Sequence, residues 1–122
     1  MSAIKLATIM EQDLGYNEKA KAAFHREAKA VLKKVAKSLG LNPGDYDLRS
    51  NKAGIAVSGE VTLHTDKLYV QVSQGVMGRG GEVLFRSCEG RKDYTGGQNR
   101  FASAGELLDD SVLSSFDFIQ SR

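Results

Sequence analysis

The hydrophobic positions of residues 17–39 repeat with the period of an α-helix. Nonpolar side chains recur every three or four residues, at Phe24, Ala28, Val31, Val35 and Leu39, with Leu32 and Ala36 beside them. This spacing gathers them on one face of an amphipathic helix. Asn17 can cap the first turn, and Gly40 can end the helix in the left-handed conformation. A shorter helix, with Leu6, Ile9 and Met10 on one side, is predicted over Ala3–Asp13.

The period of the hydrophobic positions changes to two after the turn sequence Asn42-Pro43-Gly44-Asp45. Nonpolar and polar residues then alternate, which is typical of strands with one buried face. Four strands are predicted, at Tyr46–Ser50, Ile55–His64, Leu68–Ser73 and Glu82–Cys88. The connections Asn51–Gly54 and His64–Asp66 are short, so neighbouring strands should pair as antiparallel hairpins.

The last part of the chain returns to a helical pattern, over Ser103–Asp109 and again over Ser111–Ile119. The predicted fold is therefore α+β: an antiparallel four-stranded meander with a long N-terminal amphipathic helix packed on one face and a short C-terminal helix. A chain of 122 residues is the size of one domain, so residues 1–122 are predicted to form a single domain.

The amino-acid composition indicates the general class of protein but does not indicate an activity. Hydrophobic residues make up 41% and charged residues 26%, which is ordinary for a water-soluble domain. No stretch approaches the length of nonpolar sequence that crosses a bilayer, so no membrane contact is expected. Cys88 is the only cysteine, which excludes an intramolecular disulfide and a multi-cysteine metal site. A reducing cytoplasm is the expected compartment, and neither a metal nor a cofactor is predicted.

Charge is distributed unevenly along a chain whose formal net charge is only +2. The predicted helix 17–39 carries seven Lys or Arg against two Glu, a net of +5, while residues 102–122 carry four acids and one Arg, a net of −3. Basic side chains recur at every fourth helix position, at Lys21, His25, Lys29, Lys33 and Lys37. Like charges at this spacing repel one another slightly, so a solvent-facing row of them invites a functional explanation.

Four interpretations of this basic helix face remain open. Lysine forms helices well and keeps a protein soluble, so the row can be a solvated surface. It can also pair with the acidic C-terminal segment, bind an acidic protein, or bind nucleic acid through phosphate contacts. No aromatic residue interleaves with the row, which weakens the case for stacking on single-stranded bases.

Two glycine-rich segments, Gln74–Gly81 and Gly90–Arg100, contain seven of the thirteen glycines. Glycine permits positive φ, so that backbone N–H groups can converge on an anion. Basic side chains accompany them, at Arg79, Arg91, Lys92 and Arg100. A phosphate or carboxylate ligand is therefore chemically sensible. Neither segment matches a P-loop or a dinucleotide-binding fingerprint, and both can also be ordinary loops.

In a meander these two loops lie at opposite ends of the sheet. The loop Gly90–Arg100 should neighbour His64–Asp66, and that end carries more chemically active side chains. We expect a partner to contact it. The residues expected to bind a partner, including Arg79 of the first loop, are His64, Asp66, Arg79, Arg91, Lys92, Asp93, Tyr94 and Arg100.

A catalytic reading of the same residues is weaker. His64 and Cys88 could form a thiolate–imidazole pair oriented by Asp93, but a small cysteine late in a strand is more often a buried hydrophobe. We therefore do not expect an enzyme. The open sheet face can also serve as a recognition surface, although it is more simply the solvated side of the sheet; its polar residues are Asp47, Arg49, Tyr69, Gln71 and Arg86.

Four segments of the chain resemble a group of small bacteriophage-encoded proteins of uncharacterised role. They are Leu48–His64, Leu68–Gln71, Val83–Cys88 and Gly90–Asn99. The resemblance covers roughly the middle half of the chain and brings no functional residues with it. It implies a phage protein made in the cytoplasm of a bacterial host. Phage proteins of this size are commonly binders that blunt a host defence or redirect a host enzyme.

Together these observations favour a non-enzymatic binding protein that acts by surface contact with a bacterial protein. The resemblance suggests an inhibitor of a host defence or of a nucleic-acid-processing protein. Direct nucleic-acid binding through the basic helix face is one alternative. Sequestration of a nucleotide or another anion by the glycine-rich loops is a second. The sequence does not indicate an oligomeric state.

Overall fold

The computed structural model describes residues 3–74, 81–93 and 96–121. These residues form an α+β fold whose five strands make one antiparallel sheet in the order β1-β2-β3-β4-β5. The helices are α1 (Ile4–Ile9), α2 (Glu18–Ser38) and α3 (Asp110–Gln120). The strands are β1 (Tyr46–Asn51), β2 (Glu60–Thr65), β3 (Leu68–Ser73), β4 (Val83–Ser87) and β5 (Arg100–Ala102). Single 3-10 turns lie at Pro43–Asp45 and Ala104–Glu106.

The long helix predicted from hydrophobic spacing is confirmed at both ends. The side chain of Asn17 accepts a hydrogen bond from the backbone N–H of Ala20, at 3.1 Å, and so caps the first turn. Gly40 follows the last turn with φ at 75°, a conformation that side chains with a Cβ disfavour. Phe24, Leu32 and the other nonpolar side chains of its inner face are buried. The N-terminal helix is shorter than predicted and ends at Ile9.

The core lies between one face of the sheet and the helices. Consecutive strands bring Leu48, Leu63, Val70 and Phe85 into register on that face. Helix α2 packs against β1 and β2, whereas α3 packs against β3 and β4. The rings of Phe85 and Phe116 meet edge to face, with centroids 5.0 Å apart. Helix packing on one sheet face, as the sequence predicts, is thus confirmed.

Two features of the strands differ from the sequence prediction. The sheet has five strands and not four, because Arg100–Ala102 pairs with β4. This strand is only three residues long, too short for an alternating pattern to reveal it. The second strand starts at Glu60 and not at Ile55, so the connection from β1 covers residues 52–59.

The connection 52–59 leaves the sheet because its polar groups bond to the N-terminal part of the chain. The N–H of Tyr16 donates to the carbonyl of Ile55 at 2.6 Å. The ammonium of Lys21 donates to the carbonyl of Gly54 at 2.8 Å. Ile55 is 70% exposed, so its alternation with polar neighbours imitates a strand without marking a buried face. In the part of the chain that the structure describes, no helix has the length and nonpolar character needed to cross a membrane.

Candidate functional site

The loop after β4 folds against the β2–β3 turn, as the meander predicts. Arg91 joins the two: its guanidinium lies 3.3 Å from a carboxylate oxygen of Asp66 and 3.6 Å from one of Asp47. The same guanidinium donates a 2.7 Å hydrogen bond to the carbonyl of Gly44. Arg91 is therefore a clamp that fastens this loop to the start of β1.

His64 lies beneath the same loop and is fully buried. Its Nε2 lies 3.0 Å from the carbonyl oxygen of Gly90, which can only accept, so Nε2 carries the proton. Its Nδ1 lies 3.5 Å from the guanidinium of Arg49, which can only donate. Burial lowers the pKa of His64, as do the positive charges of Arg49 and Arg86, with Asp47 opposing them. His64 is accordingly a neutral structural histidine.

The Asp93 carboxylate is bound by backbone N–H groups of its own loop. It accepts hydrogen bonds from the backbone N–H of Glu89, at 2.9 Å, and from that of Gly96, at 3.0 Å. An external phosphate or carboxylate would have to displace this internal one. Anion sequestration by the segment Gly90–Arg100 stays a prediction, and these two N–H groups already have an internal acceptor.

The structure brings together four of the residues expected to bind a partner: His64, Asp66, Arg91 and Asp93. Each of the four bonds to a segment of the chain that carries another of them. Lys92 and Arg100 are exposed. Arg79 and Tyr94 lie outside the described residues, as does most of the loop Gln74–Gly81. The expectation that this end of the sheet contacts a partner stays a prediction, with Lys92 and Arg100 as its accessible side chains.

Replacement of Arg91 by alanine should lower the free energy of unfolding by about 1–2 kcal/mol. The change removes one charge-assisted hydrogen bond and two partly exposed ion pairs, each of modest value. Urea denaturation of the variant measures the loss. Lys92→Ala is the matched control, because Lys92 is the next residue in the chain and its side chain is exposed. This replacement should change the free energy of unfolding by less than about 0.5 kcal/mol. Equal stability of the two variants would contradict the role of Arg91 as a clamp.

The cysteine next to this loop is not arranged as a nucleophile. Cys88 is buried, and its thiol donates to the carbonyl of Thr65 at 3.3 Å. Burial raises the pKa of Cys88, which keeps the thiol neutral. Among the described residues, no group of three or more side chains is arranged to hold a metal ion.

The open sheet face has the polar row that the alternation predicts. Asp47, His64, Tyr69 and Arg86 lie side by side across β1 to β4. The guanidinium of Arg86 stacks over the ring of Tyr69, 4.4 Å from its centroid. Tyr69 is consequently buried although it faces away from the core.

The prediction of a solvent-facing basic row along α2 is wrong for its first two members. Lys21 and His25 are only 8% and 3% exposed, because the connection 52–59 covers them. His25 bridges to that connection: its Nε2 lies 2.8 Å from the carbonyl oxygen of Ser58, and its Nδ1 lies 2.6 Å from the hydroxyl of Ser50. Lys21 and His25 thus hold the connection in place, while Lys29, Lys33 and Lys37 remain exposed.

An open groove lies between α2 and the segment 50–55, and we call it the α2 groove. It consists of two adjoining depressions, of about 560 and 820 Å3, that share Ala22 and Lys52. The smaller depression is its basic half, because four exposed cations line it; these are Arg26, Lys29, Lys33 and Lys52. The larger depression is its apolar half, with Tyr16 and Ile55 at its edge.

The basic half is not neutralised by the protein itself. No carboxylate lines it, and none of its four cations forms an ion pair within residues 3–74, 81–93 and 96–121. No ion pair in those ranges joins α2 to the acidic C-terminal stretch either. Burial lowers the pKa of His25, which lies in this basic half. The positive charges of Lys52, Lys21 and Lys29 lower the pKa further.

Sequence reasoning found only part of this groove. Lys29 and Lys33 belong to the predicted row, but Arg26 lies one position from it and Lys52 is far away in the chain. The exposed Tyr16 and Ile55 were also missed. The sequence signal for Tyr16 is its position directly before the helix N-cap Asn17. A hydrophobic side chain there usually packs against the helix. In the structure, the side chain of Tyr16 is instead 77% exposed.

Comparison of the chain with protein-family models, with curated proteins and with solved structures found no match.

Proposed function

We propose that the protein is a non-catalytic binding protein that captures an acidic segment of another protein in the α2 groove. The observation that carries the proposal is the convergence of four exposed cations on a surface that no carboxylate of the described chain neutralises. A cluster of like charges destabilises the free protein slightly, and an acidic partner relieves this repulsion on binding.

The alternative of nucleic-acid binding has less support at this surface. Among the described residues that line the basic half, the one ring is the imidazole of His25, which is 3% exposed, so bases would find no accessible ring on which to stack. Glu18 lines the apolar half and lowers its positive charge, so a phosphate backbone that followed the whole groove would be attracted strongly along only part of its length. Since the sequence resembles phage-encoded proteins, the proposed partner is a bacterial host-defence protein or a nucleic-acid-processing protein.

Charge reversal tests the proposal. The combined changes Lys29→Glu, Lys33→Glu and Lys52→Glu should weaken the binding of a fluorescent oligoglutamate peptide by at least about tenfold, because each attraction becomes a repulsion. Fluorescence anisotropy at low salt measures the affinity. The matched control carries Lys5→Glu, Lys19→Glu and Lys34→Glu, which change the net charge equally at exposed positions outside the groove.

The control variant should retain most of the affinity of the native chain. An equal loss in both variants would mean that only net charge matters, and the α2 groove would be ruled out as the site. A labelled thymidine oligonucleotide is measured in parallel. Tighter binding of the oligonucleotide, with an affinity that falls steeply as salt rises, would overturn the proposal in favour of nucleic acid.

A further inference from the structure

The two halves of the α2 groove differ in chemistry. The basic half presents Arg26, Lys29 and Lys33 from successive turns of α2, with Lys52 opposite them. The apolar half presents Tyr16 and Ile55, which are 77% and 70% exposed. Large nonpolar side chains left this exposed beside a charged surface are characteristic of a protein contact.

Hydrogen bonds and a close backbone approach fix the position of the two segments that form the apolar half. The N–H of Tyr16 bonds to the carbonyl of Ile55 at 2.6 Å, which fastens the two segments to each other. Gly15 makes this approach possible, since a Cβ there would lie 2.2 Å from the carbonyl oxygen of Ala56. Tyr16 and Ala53 both adopt the left-handed region, with φ at 59° and 52°. Residues other than glycine rarely do so, and the surrounding bonds hold them there.

The apolar half attracts acids less strongly than the basic half does. Glu18 lines it, and the ammonium of Lys21 is already bonded to the Gly54 carbonyl. A partner carboxylate would therefore be attracted more strongly to the basic half, which four exposed cations line, than to the apolar half. The arrangement distinguishes the two ends of whatever segment lies in the groove.

We propose that the α2 groove recognises a segment that joins nonpolar side chains to a run of acidic residues, the nonpolar part packing on Tyr16 and Ile55 and the acidic part on the basic half. This inference rests on the proposed function and specifies the partner. Charge complementarity selects the occupant. From Glu18 to Lys33 the helix rises roughly 22 Å, at about 1.5 Å per residue. An extended segment of about seven residues spans that distance.

Two labelled peptides of equal charge test the inference. One has leucines followed by glutamates, and the other has serines in place of the leucines. The native chain should bind the leucine peptide about tenfold more tightly than the serine peptide, as anisotropy measures. The variant Tyr16→Asn with Ile55→Ser should bind both peptides with the same affinity that the native chain has for the serine peptide. Asparagine is chosen because it tolerates positive φ.

The matched control is Ile4→Ser with Phe118→Ser, since these side chains are 68% and 67% exposed but lie outside the groove. It should keep the preference for the leucine peptide, and unchanged melting temperatures show that each variant is folded. If the native chain binds both peptides equally, the inference fails and the proposed function stands. If neither peptide binds, the proposed function fails with it. Loss of the preference in the control variant would also overturn the inference.

Discussion

Replacement of Gly59 by alanine should lower the free energy of unfolding by about 2–5 kcal/mol. Gly59 has φ at 70°, where a residue with a Cβ is strained by about 1–2 kcal/mol. The added Cβ would also lie 2.2 Å from the carbonyl oxygen of Asn51 and 2.7 Å from the Cα of Lys52. Relieving that overlap requires the backbone to move, at a further cost of about 1–3 kcal/mol. Chemical denaturation monitored by circular dichroism measures the total.

Gly54 supplies the matched control, because it lies in the same connection and a Cβ there would meet nothing within 4 Å. Gly54→Ala should change stability by less than about 0.5 kcal/mol. The overlap at Gly59 involves Lys52, a lining residue of the α2 groove, so Gly59→Ala should also weaken oligoglutamate binding. A Gly59→Ala variant as stable as Gly54→Ala would contradict the close backbone approach.

The parts of the fold that the sequence predicts are those encoded by local repetition. The spacing of Phe24, Val31 and Val35 defines α2, and the Asn17 cap and Gly40 stop define its ends. The meeting of Arg91 with the β2–β3 turn also followed from topology, since consecutive antiparallel strands fix which loops share an end of the sheet.

The parts that escaped prediction depend on contacts between segments far apart in the chain. Ile55 and Val57 alternate with polar residues as a strand would, yet they are 70% and 51% exposed. Only the bonds from residues 16, 21 and 25 to this connection reveal why it leaves the sheet. The burial of Lys21 and His25 follows from the same bonds. The periodicity of α2 alone therefore assigned them to solvent.

Acidification should destabilise the protein through its two buried histidines. In both His25 and His64 the Nε2–H donates to a backbone carbonyl, and the neutral Nδ1 accepts from a hydroxyl or a guanidinium. Protonation would add a charge beside other cations in an environment that burial already makes unfavourable for charge. The pKa of each histidine is therefore lowered in the folded state.

The sign of the pH dependence follows from proton uptake. An unfolded histidine binds a proton below about pH 6.5, whereas the folded ones resist it, so the unfolded state gains protons first. The free energy of unfolding is therefore undiminished above that pH. Below it, stability falls by up to about 1.4 kcal/mol per pH unit for each histidine, until the lowered pKa is reached.

Urea denaturation between about pH 7.5 and pH 5.5 measures this slope above the range in which ordinary carboxylates titrate. The variants His25→Gln and His64→Gln should each be less stable than the native chain at neutral pH but should show a flatter slope. Their combination should be nearly independent of pH in this range. Because His25 bonds to both Ser50 and Ser58, its protonation should loosen the connection that carries Lys52. Peptide binding by the native chain should then weaken at acid pH beyond the loss shown by His25→Gln. An unchanged stability slope in both single variants would assign the acid sensitivity to other groups.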